Sequence, residues 1–202
     1  MVEARRASGQ HHGDLRRALE DAALELIRTS GLAGFTLANA SRKAGVSVAA
    51  PFKHYANKEA LLAQLAMRSY DEQARRFAVA LAGEISPLEQ LVAFARAYVQ
   101  FAIEEPALFE LVFAAGIDKA AFPELDRAGA RLSELLIAPA SRLRSDRQQA
   151  LALVHAVAAS SHGYAVFLRE GVFGNGTIAD DIAIAGAEST ARALALVDLG
   201  SS

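Results

Sequence analysis

Residues 36–62 read TLANASRKAGVSVAAPFKHYANKEALL, a stretch that alternates helix caps, short apolar faces and a single central glycine. Thr36 stands where a helix N-cap belongs, ahead of Leu37, Ala40 and Ala44 at one-face helical spacing. Gly45 supplies the turn, because glycine takes positive φ without a Cβ clash. Val46 faces inward, and Ser47 caps a second short helix predicted from Val48 to about His54. Pro51 falls in or just after the first turn of that helix, where proline does least harm. Asn57 then caps a third segment that starts at Lys58. Two short helices about a glycine turn make a helix-turn-helix. No acidic residue lies between Glu25 and Glu59, while Arg28, Arg42, Lys43, Lys53 and Lys58 are all basic. A basic, acid-free helix-turn-helix is suited to a polyanionic duplex.

Upstream, Asp14 can cap a helix running to about Ser30. Its apolar positions Leu15, Leu19, Ala22, Ala23, Leu26 and Ile27 fall on one face, and Gly31 and Gly34 end it. Residues 1–13 show no periodicity and are expected to form a flexible arm, either an inert tail or one lying along DNA. Downstream, the segment from Lys58 can run to about Ala82, roughly 25 residues or ~37 Å, longer than a small DNA-binding unit needs. Ser86–Pro87 opens a helix to about Glu105, and Pro106 separates it from a short apolar helix to Ala115 and Gly116. Pro123 and Pro139 bracket a helix from Glu124 to about Ala138. Asp146 caps a long one to about Glu170, and Ile178 to about Leu199 closes the chain. Asn175–Gly176 joins two helical patterns, so it reads as a helix-to-helix loop. The fold class expected is all-α, with about nine helices and no internal repeat. Three parts are predicted: an arm over 1–13, a helix-turn-helix domain over 14–60, and a ligand-binding and dimerisation domain over 61–202.

Composition narrows the function classes. The 202 residues are 52% hydrophobic and 22% charged, values of a globular chain, and there is no Cys for disulfides or thiolate catalysis. The N-terminal residues have no apolar h-region, so no secretory signal is expected and a cytoplasmic location fits. Residues 148–168 carry no formal charge over 21 positions, long enough for a bilayer. Gln148, Gln149, His155, Ser160, Ser161, His162 and Tyr164 interrupt them, so a buried helix and no membrane partner is the reading. Net charge is −2 but uneven: residues 1–60 hold nine Lys/Arg against six Asp/Glu, and the remainder twelve against seventeen. Only the first part is built to meet a polyanion.

The residues resemble a known family, the tetracycline-repressor-like (TetR) transcriptional regulators. The match runs from His12-Gly13-Asp14 through Ala22-Ala23-Leu24-Glu25-Leu26 to Gly31. It continues through Thr36-Leu37, Ala44-Gly45-Val46-Ser47 and His54-Tyr55 to Asn57-Lys58-Glu59-Ala60-Leu61-Leu62. The rest of the chain resembles the family in helix number and length. Pro106-Ala107-Leu108-Phe109 and His162-Gly163-Tyr164-Ala165, with Gly171 after them, look like the ligand-domain type named for a Trp-His-Gly signature, although the chain has no Trp. Within the motif, Ala40 replaces a bulkier residue, Ser41 an Ala, Pro51 a Leu and Phe52 a Tyr. The last change removes a hydroxyl that would reach a phosphate.

The second helix of such a motif enters the major groove and meets base edges. With Val46 and Tyr55 needed inside, Val48, Ala49 and Lys53 face out. Lys53 suits guanine O6 and N7, and Val48 and Ala49 suit a thymine methyl. Thr36, Ser47, His54 and Lys58 suit phosphates, Lys58 beside a helix N-terminus. These seven, within or just beyond the motif from Thr36 to Tyr55, are the predicted DNA-binding residues.

Aromatic residues concentrate farther along. Tyr98, Phe101, Phe109, Phe113, Phe122, His155, His162 and Phe167 are the predicted ligand-binding set, fitting either a cavity for a small, largely apolar effector or a plain core. The two histidines stand about two turns (~10 Å) apart, too far for one metal ion, so no metal site or cofactor is expected. The last two long helices are rich in Ala, Ser and Gly, which suits close packing on a twin in a four-helix, two-fold homodimer, as TetR-like proteins do. Gly171, Gly174 and Gly176 follow a helix and read as a C-cap and turn, not a phosphate loop. With no catalytic constellation, an enzyme is not expected. The sequence points to a ligand-released repressor on a palindromic operator, the alternatives being a constitutive DNA-binding regulator or an activator.

Overall fold

The computed structural model describes residues 3–114, 116–118 and 120–197. Among the described residues there are eight α-helices, one 3-10 turn and no strand. The helices are α1 (Glu3–Gly34), α2 (Leu37–Lys43), α3 (Lys58–Ala82), α4 (Pro87–Glu104), α5 (Pro106–Ala114), α6 (Pro123–Ser141), α7 (Arg147–Arg169) and α8 (Thr177–Leu196). The 3-10 turn is Pro51–Lys53. The all-α expectation holds, with the 3-10 turn as the ninth helical element.

Helix ends show where local chemistry decides. Thr36 accepts the Asn39 N–H at 3.1 Å, Asn57 the Ala60 N–H at 2.8 Å and Asp146 the Gln149 N–H at 2.9 Å, so three expected caps are made. Three ends differ from expectation. First, α1 begins at Glu3, so Asp14 lies inside it, while Met1 and Val2 lie outside the described residues. The opening residues lack an apolar face; Glu3 to Ala7 favour helix by intrinsic propensity, whereas Ser8, Gly9, His11, His12 and Gly13 do not, so propensity accounts for only the first turn of this extension. Second, α6 passes through Pro139 to Ser141, because a proline so near the end forfeits only one ladder bond. The chain then closes with tight bonds from Arg142 N to Pro139 O and from Leu143 N to Ala140 O. Third, α8 ends at Leu196, and the last expected helical residues lie outside the described ones.

The chain divides into two compact units, Met1–Ser69 with Pro106–Leu125, and Tyr70–Glu105 with Asp126–Ser202. The expected boundary at residue 60 therefore moves into α3, and α5 belongs with the N-terminal helices. In the first unit Leu19, Ala23, Ile27, Phe35, Ala40, Leu61 and Leu65 are all but completely buried. The α5 helix joins this core through Phe109 and Leu111, while Glu110 accepts the Leu32 N–H at 3.3 Å. The hydroxyl of Ser69, itself buried, donates to the Leu108 carbonyl at 2.9 Å.

In the second unit α4, α7 and α8 pack on one another around Leu91, Val99, Leu153 and Val157. Ala179, Ala183, Ala187, Ala191 and Ala195 form a buried stripe at four-residue spacing along α8. Methyl-sized side chains let α8 approach closely, and Gly186 closer still: a Cβ there would lie 2.3 Å from the Tyr164 ring. Arg144, after α6, donates to the carbonyls of Leu194, Ala195 and Val197 at 2.8, 3.0 and 2.6 Å, and so satisfies the open end of α8. By length and composition α7 is the one helix among the described residues able to cross a membrane, and 28% of that span is buried. Its buried face (Ala150, Leu153, Val154, Val157, Ser161 and Ala165) serves the bundle.

Candidate nucleic-acid interface

The turn after α2 has a full set of C-terminal bonds. Gly45 N reaches the Arg42 carbonyl at 3.1 Å and Val46 N the Ser41 carbonyl at 2.9 Å, with Gly45 at φ 70°. This paired closure needs a left-handed residue, which is why glycine stands there. Ser41, buried at a position where Ala is usual in the resembled family, is satisfied because its hydroxyl donates to the Leu37 carbonyl at 2.9 Å.

The second helix is shorter than predicted from Val48 to His54. Residues 48–50 form turns, and only Pro51–Lys53 is helical, as a 3-10 turn. Pro51 has no N–H for the Ser47 carbonyl, and its ring crowds that oxygen in an α-helix. The chain tightens instead: Ala50 N bonds Ser47 O at 2.9 Å and Lys53 N bonds Ala50 O at 3.2 Å. Ser47 thus closes a turn through its carbonyl.

Tyr55 anchors the end of this turn. It is buried, its hydroxyl donates to Glu20 at 2.7 Å, and Glu20 also accepts from Arg16 at 3.0 Å. Burial first, then the bond to Glu20, holds the phenol above its usual range, so it remains a donor. This polar anchor, with the Arg16 guanidinium 6.0 Å from the Tyr55 ring centre, has no signal in the linear pattern.

Ser47, Val48, Ala49, Lys53 and Thr36 are all exposed, and His54 is half-buried. Lys58 is exposed too, but its Nζ donates to the Phe35 carbonyl at 2.9 Å and lies 5.3 Å from the Phe35 ring centre, tying the start of α3 to the entry of α2. Among the basic residues, Arg28 is paired with Glu25 at 2.7 Å, and this bond pulls the Glu25 carboxyl down. Arg42 donates to Asn39 at 2.8 Å, while Lys43 and Lys53 project on the exposed surface. Arg42 and Lys43 also end α2, where the helix dipole favours cations. Both are legible as basic residues in the sequence, but residue type alone does not single them out for DNA contact.

The predicted ligand set is distributed over both units. Phe109, Phe113 and Phe122 belong to the first; Tyr98, Phe101, His155, His162 and Phe167 to the second. Phe101 and Phe109 are buried core, Phe122 is half-buried, and Phe113, His155 and Phe167 are exposed on the single chain. What the fold does bring together is Tyr98 and His162, with Tyr98 Oη 3.2 Å from His162 Nδ1, beside Phe77 and Phe94. Burial pushes His162 down toward neutral imidazole and the Tyr98 hydroxyl up. The arrangement is a polar pair set in an aromatic cluster. No group of three or more His, Asp or Glu among the described residues is placed to hold a metal ion.

Comparison with known proteins agrees with this geometry. Residues 19–65 match the family model described as bacterial regulatory proteins, tetR family. Residues 91–194, just over half the chain, match that of the tetracyclin repressor-like C-terminal domain. No curated protein sequence matches. Among solved structures, a protein of unknown function from Rhodococcus sp. RHA1 is 26% identical, at TM-score 0.72 over 90% of this chain and 95% of that one. The TetR family transcriptional regulator PfmR from Thermus thermophilus is 19% identical, at TM-score 0.69 over 87% and 97%. AibR, solved in complex with isovaleryl coenzyme A and operator DNA, is 17% identical, at TM-score 0.67 over 87% and 96%. The motif, the helical architecture and both family matches agree: the chain belongs to the TetR family of DNA-binding transcriptional regulators, which are not enzymes.

Proposed function

We propose that the protein is a cytoplasmic repressor that binds a palindromic operator as a homodimer and leaves it when a small, largely apolar ligand binds. The observation that carries the DNA half is the acid-free run between Glu25 and Glu59, with Lys43 exposed at the end of α2 and Lys53 exposed at the end of the 3-10 turn that Pro51 opens. Polyanion binding by counterion release needs such cations without nearby carboxylates. In this reading Lys53 meets a base edge, Thr36, Ser47 and His54 meet phosphates, and Lys58 holds the motif together while facing the backbone.

One short recognition segment binds weakly, so a second copy is required. Phe167 on α7 and Ile178 and Ile182 on α8 are 53%, 74% and 46% exposed on the single chain, which suits burial against a twin through these two helices. For the effector, this reading uses the aromatic cluster: a ligand that parts the Tyr98–His162 hydrogen bond would gain apolar contacts and two orienting polar atoms. AibR was solved with isovaleryl coenzyme A, so the panel to test sets small apolar acids beside their far more polar coenzyme A thioesters.

The second reading is a constitutive regulator or activator. Its support is the tight packing of Tyr98, Phe101 and Phe109, each under 8% exposed, which leaves these rings as core. A gel-shift titration on the selected operator decides between the two. Release at increasing ligand establishes the repressor; a ligand that binds tightly yet leaves operator affinity unchanged excludes ligand release.

A further inference from the structure

Residues 48–53 alternate in pairs: Val48 and Ala49 are exposed, Ala50 and Pro51 buried, Phe52 and Lys53 exposed. Val48 is 53% exposed and Phe52 59%, and they are the exposed large apolar side chains of the helix-turn-helix among the described residues. Phe52 does not hang from a loose loop. The preceding Pro51 is buried, His54 N and Tyr55 N both bond the Pro51 carbonyl at 2.9 and 2.8 Å, and Tyr55 is pinned to Glu20. The ring is therefore presented on a fixed backbone with two rotatable bonds to restrain.

We propose that Phe52, together with Val48 and Ala49, reads the C5-methyl group of thymine in the major groove. This rests on the DNA-binding reading above and adds a chemical preference to it. Elimination among groove chemistries leaves the methyl group. A phenyl ring has no donor for a phosphate or for a base acceptor, and thymine methyl is the one apolar group on the major-groove edges. The surroundings select duplex DNA over an apolar protein partner: Lys53 follows directly, Arg42 and Lys43 end the preceding helix, and no carboxylate lies between Glu25 and Glu59. An apolar spot rimmed by cations of one sign is complementary to methyl groups bordered by phosphates. With Lys53 on guanine, the half-site should place thymine beside a G·C pair.

The test uses the full-length protein and the operator it selects from random duplexes, synthesised with thymine or with deoxyuridine at each half-site position. Wild type should bind the deoxyuridine duplex about fourfold more weakly for each methyl read, the equivalent of one buried methyl group. Phe52→Ala should bring that ratio close to one at the thymine it contacts. Phe52 is exposed, so the thermal midpoint of the variant should match wild type, and Val48→Ala provides a parallel substitution at a neighbouring exposed position. Equal wild-type affinity for the two duplexes would overturn the proposal and leave DNA reading intact. So would a uniform loss in Phe52→Ala on both, which would put the ring against the sugar-phosphate backbone. Failure to select any sequence would overturn the DNA reading itself.

Discussion

Residues 36–55 hold their shape through caps and backbone bonds, whereas α7 and α8 hold theirs through side-chain packing. In the first stretch a seven-residue helix is closed at one end by Thr36 and at the other by the Gly45 bonds, and a 3-10 turn follows because Pro51 withholds its N–H. Along α7 and α8, 23 and 20 residues meet through a methyl stripe, a Tyr164 ring over Gly186, and an Arg144 clamp on the last carbonyls. A short reader must keep exposed side chains in fixed positions with little core beneath it, so polar geometry does the holding. A long bundle can spread its stabilisation over many small contacts, and is correspondingly sensitive to added volume.

That contrast ranks the expected effects. The largest comes from Gly186→Ala. The new methyl would meet the Tyr164 ring and push it from its position 3.2 Å from the Thr190 hydroxyl, costing about 1–3 kcal/mol in urea unfolding. A wild-type midpoint would mean that the ring swings aside freely and that packing does not hold this pair. Next, Thr36→Ala removes the cap on Asn39 N and should cost about 1 kcal/mol, with weaker binding to every DNA sequence alike. If the loss depended on sequence, Thr36 would be reading bases instead of holding α2.

The smallest effect is electrostatic. Bonds from Arg75, then Arg76, hold the Glu72 carboxyl at about 2, against an ordinary value of 4.5. Its folded value is depressed, so its contribution is fully present above about 4.5 and fades as pH falls toward about 2. Acid titration of stability should therefore be shallower in Glu72→Gln over that window, and the difference should shrink in high salt. An unchanged slope would show the cluster of Arg76 with Glu72, Glu104 and Glu105 to be energetically idle.

Legibility in the sequence divides along the same line. Caps at Thr36, Asn57 and Asp146, the Gly45 turn and the Gly171 closure are local chemistry, and each is readable from two or three neighbouring residues. The inner face of α1 is readable from its period, with Leu19, Ala22, Ala23 and Ile27 all buried. The length of the second helix is not, because the tolerance of proline near a helix start leaves out the crowding of the Ser47 carbonyl. Nor is the distribution of the aromatic set. Residue type marks Phe109 as apolar, but only the packing of α5 with α1 assigns it to the N-terminal core. Arg144 is a lone loop arginine in the sequence; its role appears once α8 ends beside it.

The most direct measurement is selection of bound duplexes from a random pool by the purified full-length protein, followed by sizing of the complex. A two-fold reader should enrich a palindrome, its half-sites spaced by about one helical turn or a multiple of it, carrying at least one dimer. No enriched sequence, or a single half-site bound by one chain, would contradict this expectation.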